Sequence, residues 1–234
     1  MIDFNTLIDP MTAEEFTNEY KGKKFCIIKG NRYRKFVYSN IISWTKFSEY
    51  INNDRAVSGL QAILPNGKKL CMEKDNLHKG NVPAWSKKDY FEKKYLHEIW
   101  KNHGSIILTK ASLLTPGISN IAGAIEKQFG GACDAHFYCS KSSKARSFRP
   151  HIDHDDNFLV HCHGSVRWTV CDNFKNDNNQ TSTFDLTVGD MLYIPKGLGH
   201  YAVPLSKRIS ISVPLLESQE ETLIPVDRRR YDFS

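Results

Sequence analysis

The sequence lacks the features of membrane, secreted and zinc-binding proteins. No apolar run approaches the roughly 18 residues that a membrane span requires. The amino terminus has no basic segment followed by an apolar one, as a secretion signal would. The six cysteines show neither zinc-like pairs nor the spacing of a disulfide framework. We therefore expect free thiols, a reducing cytoplasmic location and no membrane partner.

Several widespread functional motifs are also missing. The chain has no Ser/His/Asp constellation and no glycine-rich loop that would cradle a phosphate. No stripe combines basic and aromatic residues, as binders of single-stranded nucleic acid do. The net charge of +6 is spread over 234 residues, and basic clusters such as 228–230 indicate solvated surface. With 40% hydrophobic and 25% charged residues, the composition is that of a globular protein.

The residue pattern predicts a mainly β fold with flanking helices. We expect one domain over residues 1–234: a mixed α/β part (1–130), a metal-binding β core (131–217) and a carboxy-terminal tail (218–234). Helices are predicted at 13–20, 43–52 and 118–129, and a strand at 25–29. Residues 86–100 fit a helix or a strand. Short strands separated by turns follow and indicate a closed or sandwiched β fold: 133–139, 151–163, 167–171, 183–186, 190–194, 201–203 and 208–215, with a surface loop at 173–180.

The clearest chemical signal is the set His151, Asp153 and His200. Two imidazoles and one carboxylate form the facial triad that holds Fe(II) and leaves positions open for substrate and oxygen. Positions 151 and 153 project to the same face of an extended strand, and a distant strand can supply the third ligand. On such a strand residues 154 and 156 point the other way, and Asp155 is best interpreted as part of a solvated loop.

The segments around these residues resemble the cupin-like JmjC oxygenases, which include ribosomal oxygenases and the asparaginyl hydroxylase. Residues 147–160 (SFRPHIDHDDNFLV), 164–168 (GSVRW) and 188–200 (VGDMLYIPKGLGH) are similar to the family's G-F-x-P-H-x-D, G-x-x-x-W and G-D-x-L-Y-I-P-x-G-x-x-H segments. A weaker similarity covers residues 15–50. The resemblance implies a double-stranded β-helix (cupin or jelly-roll) core, Fe(II), the cosubstrate 2-oxoglutarate, O2 and hydroxylation.

One position departs from the resembled pattern. The asparaginyl and ribosomal enzymes carry a Lys or Arg fifteen residues after the first histidine, where this chain has Val166. Arg208 is the expected replacement, in an R-x-S element like that of other 2-oxoglutarate oxygenases. Its planar fork suits a carboxylate, and Ser210 would add a hydrogen bond. The alternatives are that Arg208 is a surface residue of an edge strand, or that Arg167, of different parity from Val166, takes the role.

Other polar residues have more than one interpretation. Asn157 matches an asparagine of the asparaginyl hydroxylase near the metal-binding end of the cosubstrate. Tyr138 fits either the pocket wall or the core. His161 and His163 would form a three-histidine centre with His200, without 2-oxoglutarate. Alternatively, His161 lines the substrate pocket and His163 belongs to a turn.

Together these features predict an Fe(II)- and 2-oxoglutarate-dependent oxygenase that hydroxylates an unactivated C–H bond. A protein or peptide side chain is the leading substrate. The alternatives are a free amino acid or other small metabolite as substrate, or a non-catalytic cupin that binds a ligand. The sequence gives no clear nucleic-acid signal and leaves the oligomeric state open.

Overall fold

The computed structural model describes residues 2–51, 60–71, 93–171 and 181–216. The predicted loop at 173–180, the predicted tail at 218–234 and the first part of the ambiguous segment at 86–100 lie outside the described residues. Within the described part, no helix is long and apolar enough to cross a membrane.

Two antiparallel sheets form the β core. The smaller sheet has the order β10 (Thr181–Thr187), β9 (Ser165–Cys171), β12 (Gly199–Pro204) and β7 (His151–Ile152). The larger sheet has the order β1 (Cys26–Ile28), β11 (Met191–Ile194), β8 (Asp156–His163), β13 (Arg208–Leu216), β6 (His136–Ser140), β4 (Ser105–Leu108), β2 (Leu60–Ile63) and β3 (Lys69–Cys71), and β5 (Ala132–Cys133) also pairs with β13.

Successive side chains on a strand point to opposite faces of the sheet, and this alternation separates two apolar cores. On β13, Ile209 and Ile211 belong to the apolar cluster shared with the helices, whereas Arg208 and Ser210 line a cavity on the other face of the sheet. A second apolar cluster, which includes Val166 and Trp168, fills the space between the two sheets. This arrangement confirms the predicted double-stranded β-helix core.

Six helices accompany the larger sheet: α1 (Phe4–Ile8), α2 (Ala13–Glu19), α3 (Arg32–Ile41), α4 (Trp44–Ile51), α5 (Lys93–Lys101) and α6 (Pro116–Phe129) in the described part. Their apolar side chains, among them Phe16, Phe47 and Ile121, belong to the same apolar cluster as Ile209 and Ile211. The Thr12 hydroxyl accepts from the backbone N–H of Glu15 at 3.1 Å and caps α2. α6 ends at Gly130, whose φ of 76° suits glycine.

The predicted helices and most predicted strands are present, but two predicted strands are divided and several elements were not predicted. The helices predicted at 13–20, 43–52 and 118–129 are present as α2, α4 and α6, whereas no prediction covered α1, α3, β2, β3 and β4. The segment 133–139 is divided into β5 and β6 rather than forming one strand. The segment 151–163 is likewise divided into β7 and β8, because the polar residues 153–155 between them make no strand pairing.

Candidate active site

Strand pairing brings His151 and His200 together. The two residues are direct partners in the antiparallel pair of β7 and β12, so their side chains share one face of the smaller sheet. Their ring centroids are 4.4 Å apart. Asp153 follows β7 rather than lying within it, yet one potential ligand atom from each of the three residues lies within 4.8 Å of the others. Nε2 of His151 is 3.6 Å from Oδ1 of Asp153, and Nε2 of His200 is 3.4 Å from Oδ2.

The turn before β12 holds this arrangement in place. The backbone N–H of Gly197 donates to the carbonyl of Asp153 at 3.1 Å. Gly197 has a φ of 90°, a conformation that side-chain-bearing residues rarely adopt. The turn that precedes His200 is thereby tied directly to the segment that carries Asp153.

Backbone carbonyls set the orientation of both imidazoles. Nδ1 of His151 lies 2.8 Å from the carbonyl oxygen of Arg149, and Nδ1 of His200 lies 3.1 Å from that of Leu198. Because a carbonyl only accepts, each Nδ1 carries the hydrogen. Each Nε2 then offers its lone pair on the side of Asp153, which is the state that ligates metals.

The protonation states of the site also suit a metal. Burial and the neighbouring His200 lower the pKa of His151. Burial by itself would raise the pKa of Asp153, but the neighbouring His200, the hydrogen bond from Asn157 and the nearby His151 together hold it at about 2. At neutral pH the site therefore presents a carboxylate and a neutral His151 imidazole, the forms that bind metal without first losing a proton.

Asn157 contacts the carboxylate of the trio that His151, Asp153 and His200 form. Its side-chain amide donates to Oδ2 of Asp153 at 3.1 Å, and its own carbonyl accepts from the Ser212 hydroxyl at 2.8 Å. The second contact fixes which end of the amide faces Asp153. Asn157 thus orients a candidate ligand, a contact that the sequence did not predict, and it also lines the cavity.

The trio opens onto a cavity of about 710 Å³ between the two sheets. Its wall includes Tyr138, Leu159 and Trp168 beside the polar residues Arg208 and Ser210. A cavity of this size, mostly apolar with a few polar groups, is typical of a small-molecule or cofactor site.

Arg208 is buried in this cavity, with 1% of its surface exposed. It lies on β13, between β8 and β6, so the alternative of a surface arginine on an edge strand is wrong. Nη1 donates to the Ser210 hydroxyl at 3.3 Å and Nη2 to the Ser147 hydroxyl at 3.2 Å, whereas Nε has no partner. In the described part of the chain no carboxylate pairs with this guanidinium.

A buried cation without a counter-ion is costly, so an anionic ligand would stabilise it. Burial lowers the pKa of Arg208 to about 10, which still leaves it charged at neutral pH. The two rival positions lack these properties. Val166 is an apolar residue buried between the sheets, and Arg167 lies exposed in a two-pronged ion pair with Asp185 at 2.7 and 2.9 Å.

The other histidines in the described part of the chain do not join the metal-binding group. Among the described residues, the set able to hold an ion is His151, Asp153 and His200, which argues against a three-histidine centre. His161 is buried and places Nδ1 2.9 Å from the Ser210 hydroxyl. Burial and the charge of Arg208 lower its pKa to about 4. His163 places Nε2 2.7 Å from the carbonyl of Ile42, at the end of β8.

The neighbouring acids have separate environments. Asp156 is buried, 2.7 Å from the Lys21 ammonium, and accepts from the Tyr193 hydroxyl at 2.6 Å. Asp155 is half-buried on the cavity wall. Ser147 and Ser212 could not be predicted from the sequence as partners of Arg208 and Asn157, because both contacts depend on which strands and loops become neighbours.

Comparison with known proteins finds a domain match and several relatives. Residues 119–223 match the family model described as the JmjC domain. The bifunctional lysine-specific demethylase and histidyl-hydroxylase NO66 of Drosophila grimshawi is 22% identical over 92% of this chain. Ribosomal oxygenase 1 of Danio rerio is 23% identical over 94% of it. The chain spans 30% and 41% of the lengths of these two relatives.

Solved structures of an Escherichia coli protein share the fold. YcfD, described as a ribosomal oxygenase, in complex with cobalt and 2-oxoglutarate superimposes with a TM-score of 0.62 at 16% identity, covering 89% of this chain and 52% of that chain. Its complex with cobalt and succinic acid gives a TM-score of 0.63 at 15% identity. The chain is therefore similar to the JmjC domain over residues 119–223, and it shares its fold with YcfD.

Proposed function

We propose that this protein is an Fe(II)- and 2-oxoglutarate-dependent oxygenase that hydroxylates a C–H bond of a protein or peptide side chain. One observation carries the proposal. Three ligand atoms within 4.8 Å of one another open onto the same cavity as a buried arginine, which has no carboxylate partner among the described residues.

The donor set fits ferrous iron. His151, Asp153 and His200 would hold the ion through two imidazole nitrogens and one carboxylate oxygen, which is the set that non-haem Fe(II) oxygenases use. Asn157 would keep the Asp153 carboxylate in place, and the carbonyls of Arg149 and Leu198 would keep the imidazoles in place. With three protein ligands, coordination positions remain for other molecules.

The cavity also fits an organic dianion such as 2-oxoglutarate. Arg208 would bind the carboxylate far from the metal through its fork, with Ser210 and Ser147 already hydrogen-bonded to the same guanidinium. One YcfD structure contains 2-oxoglutarate together with cobalt. Bound iron and 2-oxoglutarate would together supply the oxidising chemistry, using O2.

The protein's own residues would orient the reactants and exclude water. Arg208 and the trio line the same cavity from different sheets, so they would fix the two ends of the cosubstrate. Leu159 and Trp168 make part of the lining apolar, which strengthens the interactions of charged groups inside the cavity.

A protein substrate is supported by the relatives. These relatives are named as a histidyl-hydroxylase and as ribosomal oxygenases. The test is an aerobic assay of the full chain with Fe(II) and 2-oxoglutarate, with and without candidate proteins. We expect succinate in proportion to a peptide mass increase of one oxygen atom, and neither product with His151→Ala. Absence of succinate from the iron-loaded chain with every substrate class, amino acids included, would contradict the proposal.

A further inference from the structure

A groove adjoins the cavity onto which His151, Asp153 and His200 open, which we call the metal cavity. The groove has a volume of about 590 Å³ and lies between the loop at 141–150, the turn at 65–67 and the end of β12. The two cavities share part of their walls, so a chain lying in the groove reaches the cavity of the trio. The shared residues are Gly67, Ser147, Phe148, Arg149, Pro150 and Ala202.

The groove wall carries charge of one sign. Lys144, Arg146 and Arg149 line it, all three are exposed, and no acidic residue is among its lining residues. None of the three side chains forms an ion pair with a carboxylate in the part of the chain that the structure describes. Asp134 and Asp155 line the metal cavity instead, and Oδ2 of Asp134 is hydrogen-bonded to Nε2 of His136 at 3.0 Å.

The backbone that carries these cations is held in place. The Ser105 hydroxyl donates to the carbonyl of Arg146, and the N–H of Ala145 donates to the carbonyl of Ser142 at 3.2 Å. Ala145 is buried, which fixes the loop between Lys144 and Arg146. The positive charges therefore start from an anchored loop, and less conformational freedom is lost when a partner binds.

The loop at 141–150 is hydrogen-bonded both to the metal-binding trio and to Arg208. The carbonyl of Arg149 accepts from Nδ1 of His151, and the hydroxyl of Ser147 accepts from Arg208. A segment bound along the loop would lie beside the groups that hold the metal and the cosubstrate.

We propose that this groove, defined by Lys144, Arg146 and Arg149, binds an acidic flank of the protein substrate while the residue to be hydroxylated enters the metal cavity. The inference rests on the proposed function and narrows its substrate to segments with Asp or Glu near the modified residue. Opposite charges along such a groove raise the rate of association and select the register of the bound segment.

A peptide fits the groove better than a nucleic acid does. Stacking platforms for single-stranded nucleic acids present aromatic faces along the groove. Here the aromatic residues are half-buried, and Phe148 already packs against the rings of Tyr138 and His151, with centroids at 5.8 and 5.6 Å. The lining thus offers cations for carboxylates and little free aromatic surface for bases.

The test measures binding of three fluorescein-labelled decapeptides, rich in Glu, Gln or Lys, and of a ten-nucleotide uridine oligomer. Fluorescence anisotropy is recorded with the full chain loaded with Mn(II) and 2-oxoglutarate. The groove variant is Lys144→Glu/Arg146→Glu. The control variant is Lys101→Glu/Lys127→Glu, which changes the net charge equally at exposed positions outside both cavities.

We expect the Glu-rich peptide to bind most tightly and to lose about tenfold or more in affinity in the groove variant, but not in the control. Raising NaCl to about 1 M, where the screening length is about 3 Å, should abolish binding. Equal losses in both variants, or equal binding of the Gln-rich peptide, would overturn the proposal. Tighter binding of the uridine oligomer that depends on Lys144 and Arg146 would assign the groove to nucleic acid and overturn it too.

A second measurement separates this inference from the proposed function. Succinate formation from 2-oxoglutarate without peptide should be the same in the groove variant and the unmodified chain, because Lys144 and Arg146 do not line the metal cavity. If the unmodified chain binds the acidic peptide but forms no succinate with any substrate, the oxygenase proposal fails and the proposal of a cationic peptide groove stands. If succinate forms but peptide charge has no effect on binding, the groove proposal alone fails.

Discussion

Asn157 donates its side-chain amide to Oδ2 of Asp153 across 3.1 Å, and the Ser212 hydroxyl holds the other end of that amide at 2.8 Å. The carboxylate of the trio is therefore oriented by a residue that is not itself a candidate ligand. Groups that orient metal ligands contribute to metal affinity almost as much as weak ligands do.

We predict that Asn157→Leu lowers the affinity for Mn(II) or Fe(II) about 10- to 100-fold without unfolding the protein. Competition with a fluorescent chelator measures the affinity, and thermal unfolding monitors the fold. Ser212→Ala should give a smaller loss, since the amide then keeps its place but loses one contact. Unchanged metal affinity in Asn157→Leu would show that Asp153 needs no support from this amide.

Arg208 is predicted to be required for the cosubstrate but dispensable for folding. Removing its charge-assisted hydrogen bonds in Arg208→Met should weaken 2-oxoglutarate binding about 100-fold or more. Because the guanidinium is buried and pairs with no carboxylate of residues 2–51, 60–71, 93–171 and 181–216, Met at this position should leave the ligand-free protein as stable as before, or more stable. Thermal unfolding with Mn(II), with and without 2-oxoglutarate, measures both effects.

The control for this variant is Arg208→Lys, which keeps the charge and loses the fork. It should retain part of the stabilisation by 2-oxoglutarate. A fall of more than about 3 kcal/mol in the unfolding free energy of ligand-free Arg208→Met would instead assign the arginine a structural role.

His161 is predicted to orient Ser210. Its Nδ1 is 2.9 Å from the Ser210 hydroxyl oxygen, which also accepts from Arg208 at 3.3 Å. If Nδ1 carries the hydrogen, Ser210 accepts twice and its own hydrogen is free for a carboxylate in the cavity. His161→Leu should then raise the KM for 2-oxoglutarate about fivefold, the equivalent of one hydrogen bond, and leave kcat nearly unchanged.

His161→Asn supplies an N–H near the position of Nδ1 and should restore most of the affinity. Steady-state kinetics with varied 2-oxoglutarate separates the two parameters. A loss confined to kcat in the Leu variant, or no rescue by Asn, would be incompatible with this role.

Asp190 is predicted to make stability depend on pH. Burial would raise its pKa, but the Lys29 ammonium at 2.6 Å and the N–H groups of Gly30 and Thr187 at 2.7 and 2.9 Å together lower it. Since the native pKa lies below the unfolded value near 3.9, the stabilisation is complete above that value. It is lost as the pH falls through the native pKa.

Asp190→Asn should therefore lower the unfolding free energy by about 1–3 kcal/mol at pH 7, and the difference should shrink below about pH 3.5. Urea unfolding of both proteins at pH 7 and below about pH 3.5 measures this difference in unfolding free energy. Metal affinity at pH 7 should be unchanged, because Asp190 does not line the metal cavity. A difference that is the same at both pH values would exclude the carboxylate charge as its source.

Much of the fold could be predicted because its signals are local. Thr12 with Glu15 marked the start of α2, and the glycines after Phe129 marked the end of α6. Alternating residues placed Arg208 and Ser210 on one face of β13, which is the face that lines the cavity. The α3 helix lies in a charged segment for which no prediction was made, although Asn31 caps it.

The pairing of strands could not be predicted from the sequence. Asp153 was expected on a continuous strand with His151, but it lies after β7, and a hydrogen bond from Gly197 places it. The position of β13 between β8 and β6 is what buries Arg208, and no local pattern contains that information. The partners Ser147 and Ser212 also depend on which strands and loops become neighbours.

The most direct test of the account is a calorimetric titration of the metal-free chain, first with Mn(II) and then with 2-oxoglutarate. We expect one metal ion to bind per chain, 2-oxoglutarate to bind tightly only afterwards, and Asp153→Ala to abolish both events. Undiminished metal binding by Asp153→Ala, or equally tight 2-oxoglutarate binding without metal, would contradict the account.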